Sequence, residues 1–295
     1  MSKIRQLTNS IAKIFFEVFI FDREKRSLLK AKWAKLNIKK YALKALDEIE
    51  TYKKLEEKEA KIIWQYWHQG EKNAPEIIKK CLESTKRHYP DYQINVLSFE
   101  TIKDYIELPQ RFYWLLKNKK ISTAHFSDIL RLNLLSKYGG IWIDATMYST
   151  SKLPQEILDS NFFVYQKNSE IDPMGNCMSC YFIKANANNL WLNMIKKSLE
   201  NYWSENDFVV NYFLFEHLTT ILLNESELLK DLWNEMPCIY TNNICAIQDK
   251  KFDKINECDF NKILNATAIH KLTYKTIPEG YNKKDTYLYE LLENN

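Results

Sequence analysis

Glycine is scarce in this sequence of 295 residues, which has five glycines where an average chain of this length has about 20. Their spacing gives neither a GxxxxGK[ST] loop nor a GxGxxG turn, so the phosphate-binding signatures of P-loop and Rossmann proteins are missing. The five histidines never occur as HExxH or HxE, which removes the zincin and zinc-deaminase signatures. The nucleotide-binding and zinc classes that are easiest to recognise are therefore not indicated.

Long apolar runs and paired cysteines are lacking as well. The run at 14–21 has eight residues and contains Glu17, whereas a helix that spans a bilayer needs about 20. Among the six cysteines only Cys177 and Cys180 are closely spaced, and no second CxxC or CxxH completes a zinc site. This spacing favours reduced thiols, and we therefore expect a cytoplasmic protein.

Positive charge is concentrated at the N-terminus. Residues 1–45 carry a net charge of +9 while the whole chain carries +4, so the remainder is mildly acidic. Apolar residues recur at three- and four-residue steps from Ile4 to Phe21, which predicts an amphipathic helix. Such a basic helix can lie on an anionic membrane surface, and we expect the inner face of the cytoplasmic membrane and no nucleic acid as partner. The alternative is that the apolar stripe packs on the rest of the protein.

Residues 1–60 contain no Pro or Gly, and their pattern is helical throughout. We predict helices over 4–21, 28–36 and 41–59. From residue 61 the pattern changes to a strand at 61–67, a helix beginning at Pro75 and a strand at 92–97, which favours a parallel α/β sheet. The expected organisation is a basic helical extension (1–60) followed by an α/β domain (61–295).

The most informative local pattern lies between residues 122 and 144. A helix is predicted over Ser122–Tyr138 and ends at Gly139-Gly140, because glycine adopts the left-handed conformation at a helix end without steric cost. Residues 141–143 are apolar on both faces, as in a strand covered on both sides, and Asp144 follows directly. Further strands are predicted at 162–165, 181–183 and 266–270, and further helices at 189–203, 207–223 and 226–235.

Residues with useful chemistry stand at the ends of predicted strands. These are Trp67 and His68 after the first strand, Asp144 after the central one, and His270 after the last. Ligands of open α/β sheets bind outside the carboxyl ends of the strands, and Asp128 and Arg131 share one face of the helix that precedes the central strand. An aromatic plane, carboxylates and an arginine together suit a nucleoside-diphosphate sugar. Taken singly, each residue has an ordinary structural explanation as a surface ion pair, a turn residue or part of the core.

Two stretches carry a resemblance to a known family. Residues 127–131 (SDILR) followed by 138–144 (YGGIWID) resemble the DXD-containing sugar-binding region of glycosyltransferase family 32 and its bacterial capsular polysaccharide synthesis relatives, and residues 61–67 resemble their opening strand. The resemblance implies a GT-A fold, which is an α/β fold with a mostly parallel central sheet flanked by helices. It also implies transfer of a sugar, with retention, from a nucleotide-sugar donor to a growing capsular or other surface polysaccharide, free or lipid-linked.

The resemblance also implies roles for individual residues. Asp128 and Arg131 are expected to bind the donor sugar, Trp67 to stack on the base beside His68, and Asp144 to act as the first DXD acid. An inverting enzyme needs a carboxylate base instead, for which Asp207 and Glu216 are candidates.

The metal site departs from the family pattern. The second DXD acid is replaced by Thr146, whose hydroxyl is a poor ligand for a hard cation. We expect a weakly held Mg²⁺ or Mn²⁺ on Asp144 and His270, the latter resembling the late histidine of the family. In the alternative, cationic side chains such as Lys271 or Lys275 stabilise the leaving group.

Two other functions remain open from the sequence. The replacement of the acid by Thr146 is compatible with a catalytically silent subunit that binds nucleotide sugars or acts as a scaffold in a glycan assembly. The basic N-terminus is compatible with a membrane adaptor that has no small ligand.

Overall fold

The computed structural model of the protein describes residues 2–168, 172, 174–241, 243–278 and 280–294. Its helices are α1 (Ser2–Phe19), α2 (Arg23–Leu46), α3 (Ile49–Tyr52), α4 (Glu76–His88), α5 (Gln110–Lys117), α6 (Thr123–Tyr138), α7 (Gln155–Asp159), α8 (Leu190–Glu205), α9 (Leu214–Glu225), α10 (Glu227–Asn234), α11 (Ala246–Asp249), α12 (Glu257–Ala266) and α13 (Tyr287–Asn294). Its strands are β1 (Ile62–Tyr66), β2 (Gln93–Leu97), β3 (Gly140–Ile143), β4 (Met147–Ser149), β5 (Phe162–Gln166), β6 (Met178–Ala185) and β7 (Ile269–Lys271).

Five strands form the central sheet in the order β2-β1-β3-β6-β5. Strands β2, β1 and β3 are parallel, while β6 runs antiparallel to both β3 and β5. Four of the five strands therefore share one direction, which confirms a mostly parallel sheet with helices around it. Strands β4 and β7 form a separate antiparallel pair.

The turn between α6 and β3 fixes the end of the central strand. Ser122 caps α6 by accepting a hydrogen bond from the backbone N–H of His125. Gly139 and Gly140 have φ angles of 69° and 100°, and a Cβ at Gly140 would collide with the carbonyl of Ile62 in β1. Because only glycine allows this approach, the strand pairs closely with β1 and delivers Asp144 to the edge of the sheet.

Helix α2 belongs to the core of the protein. It is longer than the predicted helix at 28–36, and the predicted helix at 41–59 is wrong in its second half, since residues 53–59 are not helical. Its buried residues Ala34, Ile38 and Tyr41 join the main hydrophobic core, packed against α8 and α9. The boundary predicted at residue 60 therefore does not separate two cores.

Helix α1 has the predicted helical character but leaves its apolar stripe exposed. The apolar face of α1 consists of Ile4, Leu7, Ile11, Ile14, Phe15, Val18 and Phe19, all of them exposed. The alternative that this stripe packs on the rest of the protein is therefore wrong. None of the helices in the described residues has the length and apolar character that crossing a bilayer demands.

The segment before α9 differs from the prediction. The helix begins at Leu214 rather than at Asp207. Side chains take up the backbone carbonyls of the preceding segment, since Arg111 Nη2 donates to Asn206 O at 2.8 Å and Tyr202 Oη donates to Phe208 O at 2.6 Å. These tertiary hydrogen bonds replace the intrahelical ones that the sequence pattern had indicated.

Candidate active site

A cleft of 430 Å³ opens where β1 and β3 end. Its lining includes Trp67 and His68 after β1, Asp144 and Thr146 after β3, and Ser127 from α6. The carboxyl ends of neighbouring parallel strands lie at one edge of the sheet, which is where open α/β sheets bind ligands. Four of the residues predicted from the sequence are thus brought to one cavity.

Asp144 is the central acid of this cleft. Its Oδ1 accepts a hydrogen bond from Trp142 Nε1 at 2.8 Å and lies 3.3 Å from Arg131 Nη2. Its Oδ2 accepts a hydrogen bond from Lys271 Nζ at 2.9 Å. Both oxygens therefore have positively charged neighbours, and the carboxylate is fixed in one orientation.

Arg131 lies behind the cleft rather than in it. Its side chain is 4% exposed, and its Nη2 is 3.1 Å from Asp128 Oδ1 in addition to its contact with Asp144. The guanidinium also donates to the carbonyl of Cys180 and to Ser127, and it lies 4.9 Å from the ring centroid of Trp142. With its donors engaged by the protein, Arg131 holds the two acids in place.

Lys271 reaches the same acid from the opposite end of the chain. Strand β7 pairs with β4 so that Lys271 is opposite Met147, and the N–H of Leu272 donates to Thr146 O at 2.9 Å. Lys271 Nζ then donates to Thr146 Oγ1 at 2.6 Å as well as to Asp144. The third position of the DXD-like sequence and the first are joined by this ammonium group.

The metal site predicted on Asp144 and His270 does not fit this arrangement. Side chains alternate along a strand, so His270 faces away from its neighbour Lys271 and its Nε2 lies 3.2 Å from Thr150 Oγ1. The buried Nδ1 of His270 has no hydrogen-bond partner among the described residues. This nitrogen does not make a site for Mg²⁺ by itself, because a hard cation takes about six oxygen ligands. Across the described part of the chain, no three His, Cys, Asp or Glu side chains are grouped so as to hold a metal ion.

Aromatic rings form one wall of the cleft. Trp67 and Tyr274 meet edge to face with their ring centroids 5.2 Å apart. His68 Nδ1 and Tyr66 Oη share a hydrogen bond of 2.7 Å, and burial lowers the pKa of this histidine. A nucleobase can stack on an indole placed in this way.

Asp207 is not among the described residues that line the cleft. Its Oδ2 is 3.8 Å from Lys120 Nζ, in the segment that precedes α9. Glu216, the other base considered, is buried on α9 and accepts a contact from Cys180 Sγ at 3.3 Å. Glu216 thus contacts Cys180, the residue whose carbonyl Arg131 binds, but neither Glu216 nor Asp207 is among the described residues that line the cleft.

Burial raises the pKa of all three acids, and the neighbouring charges oppose it at Asp144 and Asp128 but add to it at Glu216. Burial raises the pKa of the Asp144 carboxyl, but the charges of Lys271 and Arg131 outweigh it and hold that pKa below its usual value. At Asp128 burial prevails over Arg131 and raises the pKa. Burial, followed by the negative charge of Asp128, raises the pKa of Glu216 to about 7. Asp144 is therefore the acid most strongly held as a carboxylate.

The sequence pattern did not indicate three contributors to this site. Trp142 was predicted only as part of a covered strand, yet its indole binds Asp144. Tyr181 was assigned to a strand, and its ring lies 5.4 Å from Lys271 Nζ. Tyr274 lies in a segment without periodicity. The spacing of two residues between Trp142 and Asp144, which places both side chains on one face of an extended chain, is the signal that could have found the first of these.

Known proteins resemble limited parts of this chain. It is 31% identical over 94 residues to the O-glycosyltransferase braB of Annulohypoxylon truncatum, covering 29% of this chain and 22% of that protein. It is 26% identical over 114 residues to the glycosyltransferase afumC of Aspergillus fumigatus, covering 35% of this chain and 28% of that protein. The chain thus spans less than a third of the length of these curated relatives.

The solved structure of the PaToxG glycosyltransferase is a distant neighbour. It aligns with 70% of this chain and 83% of its own, with a TM-score of 0.43 and 18% identity. A likeness at this level carries no argument about the site.

A family model covers far more of the sequence than any of these relatives. The match extends over residues 17–291 and so includes α2, the central sheet, the cleft with Asp144 and the β4–β7 pair that carries Lys271. Because this match takes in most of the chain, it decides the family, as the motifs at 127–131 and 138–144 had indicated. The chain belongs to the family of capsular polysaccharide synthesis proteins.

Proposed function

We propose that this protein is a glycosyltransferase with a GT-A-like fold that moves a sugar from a nucleoside-diphosphate donor to a growing capsular or other surface polysaccharide. The observation that carries the proposal is the position of Asp144 in a cleft that also holds Trp67, with a cation on each of its carboxylate oxygens. An indole suits the base, a carboxylate suits sugar hydroxyls, and an ammonium group suits a diphosphate. The names of the relatives support the same class of reaction.

Each residue has a distinct part in this proposal. Trp67 stacks on the base next to His68, and Asp144 meets the ribose. Asp128, with a side chain 14% exposed, accepts hydrogen bonds from the donor sugar. Arg131 is a positioning residue, because its donors are engaged by Asp128, Asp144 and the protein backbone.

Glycosyl transfer passes through an oxocarbenium-like state as the diphosphate leaves. The main contributions of the protein are then positioning of donor and acceptor and stabilisation of charge on the diphosphate. We propose retention of the anomeric configuration, because neither of the candidate bases Asp207 and Glu216 is among the described residues that line the cleft. Proton NMR of the product identifies its anomer, and inversion contradicts this part of the proposal.

A screen of nucleotide sugars tests the donor class. A ligand at a free concentration of about 100 times its Kd adds about 2.7 kcal/mol to the stability of the folded protein, which a thermal-shift assay detects. We expect one nucleotide sugar to stabilise the protein and to be hydrolysed slowly, and we expect Asp144→Ala to abolish the hydrolysis.

The silent-subunit alternative is favoured by one feature, the replacement of the second DXD acid by Thr146. It predicts tight binding of a nucleotide sugar without release of free sugar, in the presence or absence of an oligosaccharide acceptor. Release of sugar that depends on Asp144 excludes it.

We also propose that α1 holds the enzyme on the inner face of the cytoplasmic membrane. The apolar face of α1 is exposed, and Phe21 just beyond it is 90% exposed. Lys3, Arg23 and Lys25 are exposed on α1 and at the beginning of α2. An amphipathic helix of this kind binds by burying apolar side chains at the headgroup level and by attraction to anionic lipids.

Vesicle sedimentation tests this second proposal. We expect the protein to sediment with vesicles of phosphatidylcholine and phosphatidylglycerol, to do so less in high salt, and to stay in solution with phosphatidylcholine alone. The double variant F15S/F19S is expected to lose sedimentation, whereas F252S, a change at an exposed phenylalanine far along the sequence, retains it. Equal sedimentation of F15S/F19S and the unmodified protein contradicts the assignment to α1.

A further inference from the structure

The place of Lys271 is determined by backbone hydrogen bonds on both sides. In the β4–β7 pair it stands opposite Met147, its own N–H donates to Ile244 O at 2.7 Å, and the next N–H donates to Thr146 O. Thr150 N–H donates to Ala268 O at 2.9 Å at the other end of the pair. The lysine is therefore held on the β4–β7 pair, whose strand β4 begins shortly after Asp144.

The ammonium group of Lys271 occupies the space between the two side chains that a DXD-like sequence presents. It donates to Asp144 Oδ2 at 2.9 Å and to Thr146 Oγ1 at 2.6 Å, and it lies 5.4 Å from the centroid of the Tyr181 ring. A lysine ammonium has three N–H donors. Two are directed to Asp144 and Thr146, which both line the cleft, and the side chain is 24% exposed. Lys271 does not line the cleft itself, but a ligand that contacts these two residues lies next to its ammonium group.

The same contacts are unfavourable for a divalent cation. A cation on Asp144 has to displace Lys271 from one oxygen and stand close to Arg131 at the other, and both neighbours repel it. Thr146 offers a neutral hydroxyl where a second carboxylate would offer a charge. The ammonium group of Lys271 thus already supplies a positive charge where a metal ion would otherwise bind.

We infer that Lys271 takes the place of the divalent cation, and that its ammonium group binds the diphosphate of the donor without a metal ion. In the transfer, the bond between the anomeric carbon and the diphosphate oxygen breaks and its electron pair stays on that oxygen. A bond forms between the anomeric carbon and the acceptor oxygen, and the acceptor proton passes to the departing diphosphate. Lys271 keeps its own proton and stabilises the diphosphate charge through hydrogen bonds.

The inference rests on the proposed function, so the experiment separates the two. Isothermal titration with UDP and GDP is carried out in EDTA and, separately, in MnCl2, together with a panel of UDP- and GDP-sugars. We expect at least one nucleotide to bind with a Kd that differs less than about threefold between the two buffers, a factor well below one tenfold step of affinity. Binding that is lost in EDTA and restored by Mn²⁺ overturns the inference but leaves the proposed function standing. No binding of any nucleotide or nucleotide sugar in either buffer overturns the proposed function and the inference with it.

Variants of Lys271 test the residue itself. We expect Lys271→Met to weaken nucleotide binding in EDTA at least about tenfold, since a charge-assisted hydrogen bond is removed, and Lys271→Arg to retain part of it. Lys284→Met removes the same charge from an exposed position and is the matched control. Equal losses in K271M and K284M overturn the inference, because the effect is then one of net charge alone.

A direct measurement of Mn²⁺ gives a readout that is independent of activity. Free Mn²⁺ is followed by electron paramagnetic resonance as protein is added. We expect no loss of the free signal with the unmodified protein, and a loss with the double variant T146D/K271A, which supplies a second carboxylate and removes the ammonium group. One bound Mn²⁺ per unmodified chain overturns the inference.

Discussion

Arg131 and Lys271 both contact the carboxylate of Asp144, but they belong to different parts of the molecule. Arg131 lies on α6 with a side chain 4% exposed and contacts with Asp128, Ser127 and Cys180. Lys271 lies at the end of β7, is 24% exposed and shares its ammonium group between Asp144 and Thr146. One oxygen of Asp144 thus lies beside a buried cation and the other beside a partly exposed cation.

This difference separates stability from binding. A buried cation whose donors are all engaged by the protein cannot turn to a ligand without leaving buried acids unpaired, which is costly. A partly exposed lysine on a flexible stem can turn from a carboxylate to a phosphate at little cost. We therefore expect Arg131 to act on the fold and Lys271 to act on the ligand.

The largest expected effect comes from removing the buried partner. Arg131→Met leaves Asp128 and Asp144 without their shared cation, and the loss of one partner of a buried ion pair lowers the free energy of unfolding by about 3–5 kcal/mol. Urea denaturation measures this loss. An unchanged urea midpoint for R131M would mean that Asp128 and Asp144 find other partners. It would contradict the claim that Arg131 acts on stability while Lys271 acts on binding.

A pH-dependent effect of about 3 kcal/mol is expected at Glu216, which is 7% exposed with a pKa raised to about 7 from 4.5. As the pH rises from 4.5 to 7, the unfolded chain ionises at this residue while the folded protein stays protonated, so stability falls. Glu216→Gln removes this fall, and the variant gains stability relative to the unmodified protein between pH 4.5 and pH 8.

Glu205 provides the control of opposite sign. Hydrogen bonds from Lys40 and Arg5 lower its pKa to about 2, so its contribution is present above pH 4.5 and is lost as the pH falls toward 2. Urea denaturation of E216Q and E205Q across this range distinguishes the two. Parallel pH profiles for the two variants contradict the assignment of Glu216 as a buried neutral acid.

Trp67, which lines the cleft together with Asp144, is expected to affect binding rather than folding. Stacking on an aromatic ring contributes about 1–3 kcal/mol per base, so Trp67→Ala should weaken binding of the nucleotide found in the screen about 5- to 150-fold. Trp114→Ala, at an exposed tryptophan outside the cleft, is the matched control in the same titration. Similar affinities for W67A and W114A remove Trp67 from the base site.

The smallest expected effect is that of Lys271→Met on stability. Partly exposed ion pairs contribute about 0–1 kcal/mol, so urea denaturation should show a change within that range although nucleotide binding is weakened at least about tenfold. A loss of stability as large as that of R131M would place Lys271 with the structural cations and remove the contrast between the two.

The elements that lead into the site were predictable, because their patterns are local. The strand at 61–67, the helix at 122–138 and the glycine pair after it are present with shifts of at most one or two residues. Strand apolarity, an N-terminal cap and a positive φ are properties of short segments and need no distant partner. Asp144 and Trp67 were found in this way.

Other parts depend on partners far along the chain. The helix expected from Asp207 begins only at Leu214, because Arg111 and Tyr202 bind the preceding carbonyls. The late histidine was expected beside Asp144, but the register of β7 on β4 gives that place to Lys271 and turns His270 toward Thr150. A shift of one residue along a strand exchanges its two faces. The local sequence does not reveal how β7 is aligned with β4, so the face on which Lys271 lies could not be predicted.

The sequence by itself determined the family, the mostly parallel sheet, the strand ends that form the cleft and the amphipathic character of α1. The family was indicated by the resemblance of residues 61–67, 127–131 and 138–144 to known proteins, and the other features follow from composition or periodicity over a few residues. Only the tertiary structure decided that α2 belongs to the core, that the apolar face of α1 is left exposed, and that Asp144 has a buried arginine on one oxygen and a reachable lysine on the other. The physical reason is that burial and charge pairing depend on which segments meet in space, and residues 131, 144 and 271 meet only after the sheet and the β4–β7 pair have formed.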